Sequence, residues 1–166
     1  MLERAAIVLV VAAGCASGTA HVSPPTPAVD PNAPLLSFER SACEGDCPAY
    51  KIDVEHDGTV RYDGRSCVQT RGRVLAQLSS EKVDALRAAI ARADFARLAE
   101  RCCVCPFDDA PTITITVADP APKTIENACG SQGRAGIVRE LADSIDAIVD
   151  AKQWIGTDSD QRRCGP

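Results

Sequence analysis

The chain has 166 residues, of which 45% are hydrophobic and 25% are charged, and its formal net charge at pH 7 is -5. This length suits one domain, and the composition is that of a globular protein rather than a disordered chain. No run of Lys and Arg occurs, which disfavours binding to nucleic acid or to an anionic membrane surface, because both need a concentrated basic patch.

Residues 1–14 have the features of a lipoprotein signal peptide. Arg4 precedes nine consecutive apolar residues, Ala5 to Ala13. That run is too short for a membrane-spanning helix, which needs about 20 residues, and it fits the core of a signal peptide. The segment ends in AAGC and resembles the lipobox of bacterial lipoproteins, although Ala12 stands where Leu is usual. The resemblance implies cleavage before Cys15 and attachment of a lipid to its thiol.

Residues 15–34 are predicted to be a tether between this lipid and a folded domain. Five prolines lie between Pro24 and Pro34, and large apolar side chains are almost absent. Such a segment buries too little surface to fold and should form an extended spacer. Ala16 stands where Asp would retain a Gram-negative lipoprotein at the inner membrane. By resemblance to that sorting rule, we expect an exported protein anchored in the outer membrane, on its periplasmic or surface side.

Residues 35–166 are predicted to form a single domain that begins with strands. Leu35–Arg40 can form the first strand. Tyr50–Glu55 and Thr59–Tyr62 alternate apolar and polar side chains around an Asp-Gly pair, which is a strong hairpin signal. A less regular strand is predicted from Cys67 to about Thr70.

A helix, a second pair of strands and a second helix follow. Ser79 and Ser80 offer an N-cap for a helix that carries Val83, Leu86 and Ile90 on one face and ends near Asp94. Two further strands are predicted at Thr112–Val117 and Lys123–Cys129. A second helix follows, with an apolar stripe formed by Ile137, Leu141, Ile145 and Ile148. The expected fold is α+β, with an antiparallel sheet of four to five strands, two helices on one face, and disulfide staples.

Nine cysteines are the unusual feature of the composition. An export signal implies an oxidising compartment, so the eight beyond Cys15 are disulfide candidates. Their pairing stays open, although the short loop between the first two favours a local bridge. These candidates are Cys43, Cys47, Cys67, Cys102, Cys103, Cys105, Cys129 and Cys164.

The same cysteines permit an alternative, in which the protein is a thiol-redox or metal-binding envelope protein. Cys43 and Cys47 would form one cluster, and Cys102, Cys103 and Cys105 the other. The spacing departs from the matched C-x2-4-C pairs of closed zinc sites and from the Cys-x-x-Cys of redox motifs. We therefore assign no metal site and no cofactor.

One motif carries a family resemblance. The segment from Cys43 to Tyr50 reads C-x-G-x-C-P-x-Y, and Gly58–Tyr62 and Gly64 follow it. This opening resembles an uncharacterised bacterial domain family whose members are often exported or lipidated. The resemblance covers about residues 35 to 155 and implies fold and location, but no activity.

Catalytic patterns are incomplete. Ser79 and Lys82 match the S-x-x-K of penicillin-binding enzymes, but the S-D-N and K-T-G elements of that chemistry are missing, so Ser79 is better explained as a helix cap. Asp108 and Asp109 are adjacent, and neighbouring side chains usually diverge. We assign no catalytic residue and expect a non-enzyme.

The leading hypothesis is a lipid-anchored envelope domain that binds or scaffolds an envelope protein or a cell-wall component, without nucleic acid. A third, weaker hypothesis is a hydrolase that uses Ser79.

Overall fold

Seven strands form one sheet in the computed structural model, which describes residues 33–102, 111–119, 121–127 and 134–161. The strand order is β4-β3-β2-β1-β6-β7-β5, and every pair is antiparallel except β5, which runs parallel to β7. The strands are β1 (Leu36–Arg40), β2 (Ala49–Val54), β3 (Thr59–Ser66), β4 (Gly72–Gln77), β5 (Arg101–Cys102), β6 (Ile113–Val117) and β7 (Lys123–Asn127).

Two long helices and three short helical segments accompany the sheet in the described part of the chain. They are α1 (Ser80–Arg92), a 3-10 turn (Phe95–Arg97), α2 (Arg134–Val149), α3 (Lys152–Ile155) and α4 (Asp158–Gln161). Among the described residues, none of these helices has the length and apolarity needed to cross a membrane.

One face of the sheet forms the core. Phe38 on β1 lies between Ile52 on β2 and Ile115 on β6, and all three are fully buried. Buried residues of α1 and α2 belong to the same apolar cluster, so both long helices cover this face. The opposite face carries ion pairs, such as the one between Lys51 Nζ and Asp53 Oδ2 at 2.9 Å. This division explains the alternation of apolar and polar residues along the strands.

The predicted fold class is confirmed, and the predicted strand count is too low. The α+β class, the antiparallel sheet and the hairpin around Asp57 and Gly58 are as expected. The sheet has seven strands instead of four or five because β4 and the two-residue β5 were not predicted. The strand predicted from Cys67 to Thr70 is wrong. This segment is bent, starts with a positive φ of 54° at Cys67, and bonds through its backbone to α3 instead of to a strand.

The two predicted helices are present, and the first has the predicted apolar face. The side chain of Ser79 accepts a hydrogen bond from the backbone N–H of Lys82, which makes Ser79 the N-cap of α1. The helix ends before Asp94, which has a left-handed conformation with φ 47°.

The predicted stripe of α2 is partly wrong. Ile137 is exposed and Ile148 is only partly buried, whereas Leu141 and Ile145 are buried as expected. Val138 and Val149 are the buried residues at the two ends of the stripe. The apolar face is therefore rotated by one position toward the valines.

Candidate functional site

A disulfide closes the loop between β1 and β2. Cys43 and Cys47 are bonded, with a Cα–Cα distance of 5.6 Å. Cys67 is buried, and its Sγ lies 3.9 Å from the carbonyl oxygen of Gly45 inside this loop. The bridge fits the local pairing that the short spacing favours. While it is formed, neither sulfur is a thiolate that could bind a metal.

The remaining cysteine predictions stay predictions. Cys102 ends β5, where only its backbone is described. The other predicted cysteine sites, like Asp108 and Asp109, lie outside the described residues. They are Cys15, Cys103, Cys105, Cys129 and Cys164. Within the described ranges, no group of three or more His, Cys, Asp or Glu side chains is arranged to hold a metal ion.

Beside the disulfide loop, Arg40 connects the sheet to α2. Its Nη2 donates to Oδ1 of Asp143 and to Oδ2 of Asp146, both at 2.8 Å. Its Nε donates to Oδ2 of Asp146 at 3.1 Å and to the hydroxyl of Tyr50 at 3.0 Å. Tyr50 in turn donates to Oδ1 of Asp146 at 2.6 Å. We call Arg40, Tyr50, Asp143 and Asp146 the Arg40 network.

The electrostatics of the Arg40 network follow from its partial burial. Burial raises the pKa of Asp146, and the charge of Arg40 and the hydrogen bond from Tyr50 oppose that rise. Burial would lower the pKa of the Arg40 guanidinium, but Tyr50 and Asp146 outweigh it and the pKa is raised. Burial, and then the charge of Asp146, raise the pKa of Tyr50. The donors and acceptors are matched to one another, so the network has the features of a structural link between strand and helix rather than of a reactive centre.

Four aromatic rings continue from the network into the core. Tyr50 contacts Phe38 edge-on and Tyr62 face-on, with ring centroids 5.9 Å apart in each case. Tyr62 packs against Trp154 of α3 with a centroid distance of 4.9 Å. The row holds α3 against the sheet, beneath the segment that begins at Cys67.

A groove of about 460 Å³ lies between the second half of α1 and the turn that joins β6 to β7. Its size is in the range of small-molecule pockets. The buried part of its lining is apolar and comprises Leu35, Phe95 and Val117, with Ile90 partly buried beside them. The rest of the apolar lining consists of small residues, namely Ala91, Ala96, Ala121 and Pro122. A cleft of this kind suits an apolar ligand.

Four charged residues also line the groove. Lys123 Nζ donates to the carbonyl oxygens of Ala96, at 2.7 Å, and Leu98, which ties the 3-10 turn to β7. Arg87 and two acidic residues, Glu100 and Asp119, make no ion pair with any other residue that the structure describes. Arg87 is therefore the cation of the groove that is available to a ligand.

Sequence reasoning missed both the groove and the Arg40 network. A signal for the network exists, because Arg40 follows Leu36 and Phe38 at intervals of two and must share their inward face. An inward charge needs a partner, and Asp143 and Asp146 stand three apart on α2. The groove has no such signal, because its sides come from segments that are distant in sequence.

Comparison with known proteins adds the family but no activity. A search of curated proteins found no match to the chain. The family model described as a domain of unknown function, DUF6438, matches residues 34–149, which is more than two thirds of the chain. That range includes the whole sheet, both long helices and the Arg40 network. The chain therefore belongs to the DUF6438 family of domains of unknown function.

Proposed function

We propose that this protein is a lipid-anchored, non-catalytic binding domain of the bacterial envelope, and that the groove beside α1 holds a single acyl chain. The observation that carries the proposal is the apolar groove of about 460 Å³. Among the described residues, its lining contains no Ser, Thr, Cys or His, and the Nζ of Lys123 is occupied by two carbonyl groups. Binding is the activity that this lining supports.

The tether supports a ligand that comes from the membrane. If Cys15 is lipidated, residues 15–34 connect the lipid to the domain and span at most roughly 60 Å as an extended spacer. The first described residues lead into Leu35, which lines the groove. The groove therefore stays within a tether's length of a bilayer, where acyl chains are abundant.

Arg87 supports an acyl chain that ends in an anionic group, although Glu100 and Asp119 line the groove as well. Each buried methylene contributes about 0.8 kcal/mol, so even part of a chain can supply useful affinity. Lys123 is occupied by two carbonyl groups, which leaves Arg87 to pair with a carboxylate or phosphate. A fatty acid is the simplest probe with both features.

Binding of a dansyl-labelled fatty acid to the full chain tests this proposal. We expect a saturable rise in dansyl fluorescence that unlabelled fatty acid reverses. Ala91→Trp should fill the groove and weaken binding at least tenfold. Ala88→Trp is the matched control, because Ala88 is exposed on the same helix but does not line the groove. Equal effects of the two variants, or no binding by the native chain, would refute the proposal.

The contribution of the charge can be tested separately. Arg87→Glu should weaken binding of the fatty acid and leave binding of the fatty alcohol of equal length unchanged. Lys82→Glu, an exposed change outside the groove on α1, should alter neither.

The anchor needs its own measurement. Cells that express the full chain with labelled palmitate should incorporate the label, and Cys15→Ser should abolish incorporation. Labelling that persists in Cys15→Ser would contradict lipidation at this residue.

A further inference from the structure

One edge of the sheet is open. Strand β4 pairs with β3 on one side and has no neighbouring strand on the other among the described residues. Leu75, in the middle of β4, is 73% exposed, the largest value among the large hydrophobic residues that the structure describes. An exposed apolar edge strand is a template for another strand.

The hydrogen-bond pattern identifies which residues of β4 direct their backbone N–H and C=O groups to the open edge of the sheet. The backbone N–H of Leu78 donates to the carbonyl of Gly58, and the register continues to Thr59 opposite Gln77. Because bonded and non-bonded pairs alternate in antiparallel strands, Val74 and Ala76 bond to β3. The remaining residues, Arg73, Leu75 and Gln77, direct their N–H and C=O groups to the open edge.

This edge lacks most of the features that block strand addition. It has no proline, no bulge and no inward-facing charge, since its inward residues are Val74 and Ala76. Arg73 is its only charged residue. The other end of the sheet differs, because β5 covers the end of β7 at Glu126 and Asn127.

We propose that β4 pairs antiparallel with β4 of a second copy of this chain, joining two sheets across a two-fold axis. In the register centred on Leu75, this residue lies opposite Leu75 of the second copy. Arg73 then faces Gln77, and Val74 faces Ala76 on the inner side. Three pairs direct their backbone groups toward each other across the new edge, namely Leu75 with Leu75 and the two symmetric pairs of Arg73 with Gln77. Each of these pairs can exchange two backbone hydrogen bonds.

The strand's own sequence favours a second copy as the occupant. The register places apolar residues opposite apolar ones on both faces, and it brings no like charges together. A six-residue edge buries little surface, so the dimer is of the weak class that forms reversibly with concentration.

Sedimentation of the full chain from about 1 μM to 1 mM tests the pairing, because weak interfaces associate within this range. We expect a reversible monomer–dimer equilibrium. Leu75→Lys should weaken it about tenfold or more, because two ammonium groups would face each other. Ile137→Lys is the matched control, since Ile137 is the other exposed large hydrophobic residue in the described part of the chain. Circular dichroism verifies that both variants are folded.

Hydrogen exchange in the native chain gives a test that does not depend on a variant. The amides of Arg73, Leu75 and Gln77 should exchange more slowly as the concentration rises, while those of Val74 and Ala76 should not change. A native chain that stays monomeric throughout the range would overturn the proposal, and an extended peptide from another protein would then be the better occupant. Equal weakening by Leu75→Lys and Ile137→Lys would also overturn it.

Discussion

The hydroxyl of Tyr50 donates a 2.6 Å hydrogen bond to Oδ1 of Asp146, which lies 96 residues further along the chain. Arg40 donates to the other oxygen of the same carboxylate, so Asp146 is held by two neighbouring strands at once. The tyrosine is the last residue of the C-x-G-x-C-P-x-Y opening. The motif thus ends on the residue that fastens α2 to the sheet.

The two tyrosines of the chain form a matched pair for measuring this bond. Tyr50→Phe should lower the free energy of unfolding by about 1.5–3 kcal/mol, because it removes a hydrogen bond to a charged carboxylate. Tyr62→Phe should cost less than about 0.5 kcal/mol or even stabilise, because the buried Tyr62 hydroxyl has no hydrogen-bond partner in the described part of the chain. Urea unfolding measures both. Similar losses would show that the bond to Asp146 does not carry the difference.

Alkaline pH should unfold the protein through the same two residues. Burial, and then the charges of Asp63 and Asp146, raise the pKa of Tyr62 from 10.0 to about 12, and the pKa of Tyr50 is raised as well. A raised folded-state pKa contributes stability that is complete below pH 10 and is lost as the pH rises toward 12 and beyond. Ultraviolet absorbance should therefore show little tyrosinate at pH 10.5 in the folded chain and ionisation together with unfolding above it. Full ionisation near pH 10 with the native circular dichroism retained would contradict this expectation.

The Cys43–Cys47 bridge should contribute modestly to stability. It closes a loop with a sequence separation of only 4, and a loop this short restricts the unfolded chain by about 2 kcal/mol. The double variant Cys43→Ser, Cys47→Ser should fold with its unfolding free energy lowered by that amount. Chemical unfolding gives the value, and the native circular dichroism spectrum serves as the control. A variant that no longer folds would assign the loop a larger role.

Local pattern was sufficient to predict most of the sheet and both long helices. The hairpin at Gly58 depends on turn residues, and the helix that begins after Ser79 depends on its N-cap and on a short-range apolar periodicity. All of these can be recognised in the sequence. Strand β4 was missed because the apolar Leu75 lies on its solvent-facing side, which obscures the alternation of apolar and polar residues. The segment after Cys67 was mistaken for a strand because its backbone bonds are made to α3, nearly ninety residues later.

The candidate site was much less predictable. Its buried residues, such as Leu35, Phe95 and Val117, are ordinary core residues in the sequence, and the groove exists only because three distant segments leave a gap between them. Cysteine spacing favoured the bridge between Cys43 and Cys47, which depends on local geometry. Pairings between distant cysteines depend on the folded arrangement, which spacing does not specify.

The segment after Cys67 reaches α3 by crossing Gly64 on β3. A Cβ added to Gly64 would lie 2.0 Å from the carbonyl oxygen of Thr70 and 2.7 Å from the Tyr62 hydroxyl. This close approach lets the backbone N–H of Thr70 donate to the carbonyl of Trp154 at 2.8 Å. Gly64 is thus the position where the sheet accommodates a crossing backbone.

Gly64→Ala should therefore destabilise the protein by about 3 kcal/mol or more, because backbone atoms must move to admit the methyl group. Gly72→Ala is the matched control: its φ of 84° is unfavourable for alanine, but nothing lies within 4 Å of the new Cβ. That strain alone costs about 1–2 kcal/mol. Thermal unfolding of both variants separates the two effects, and near-ultraviolet circular dichroism should report displaced Tyr62 and Trp154 only in Gly64→Ala. If Gly72→Ala costs as much as Gly64→Ala, steric contact with Thr70 is not what fixes a glycine at this position.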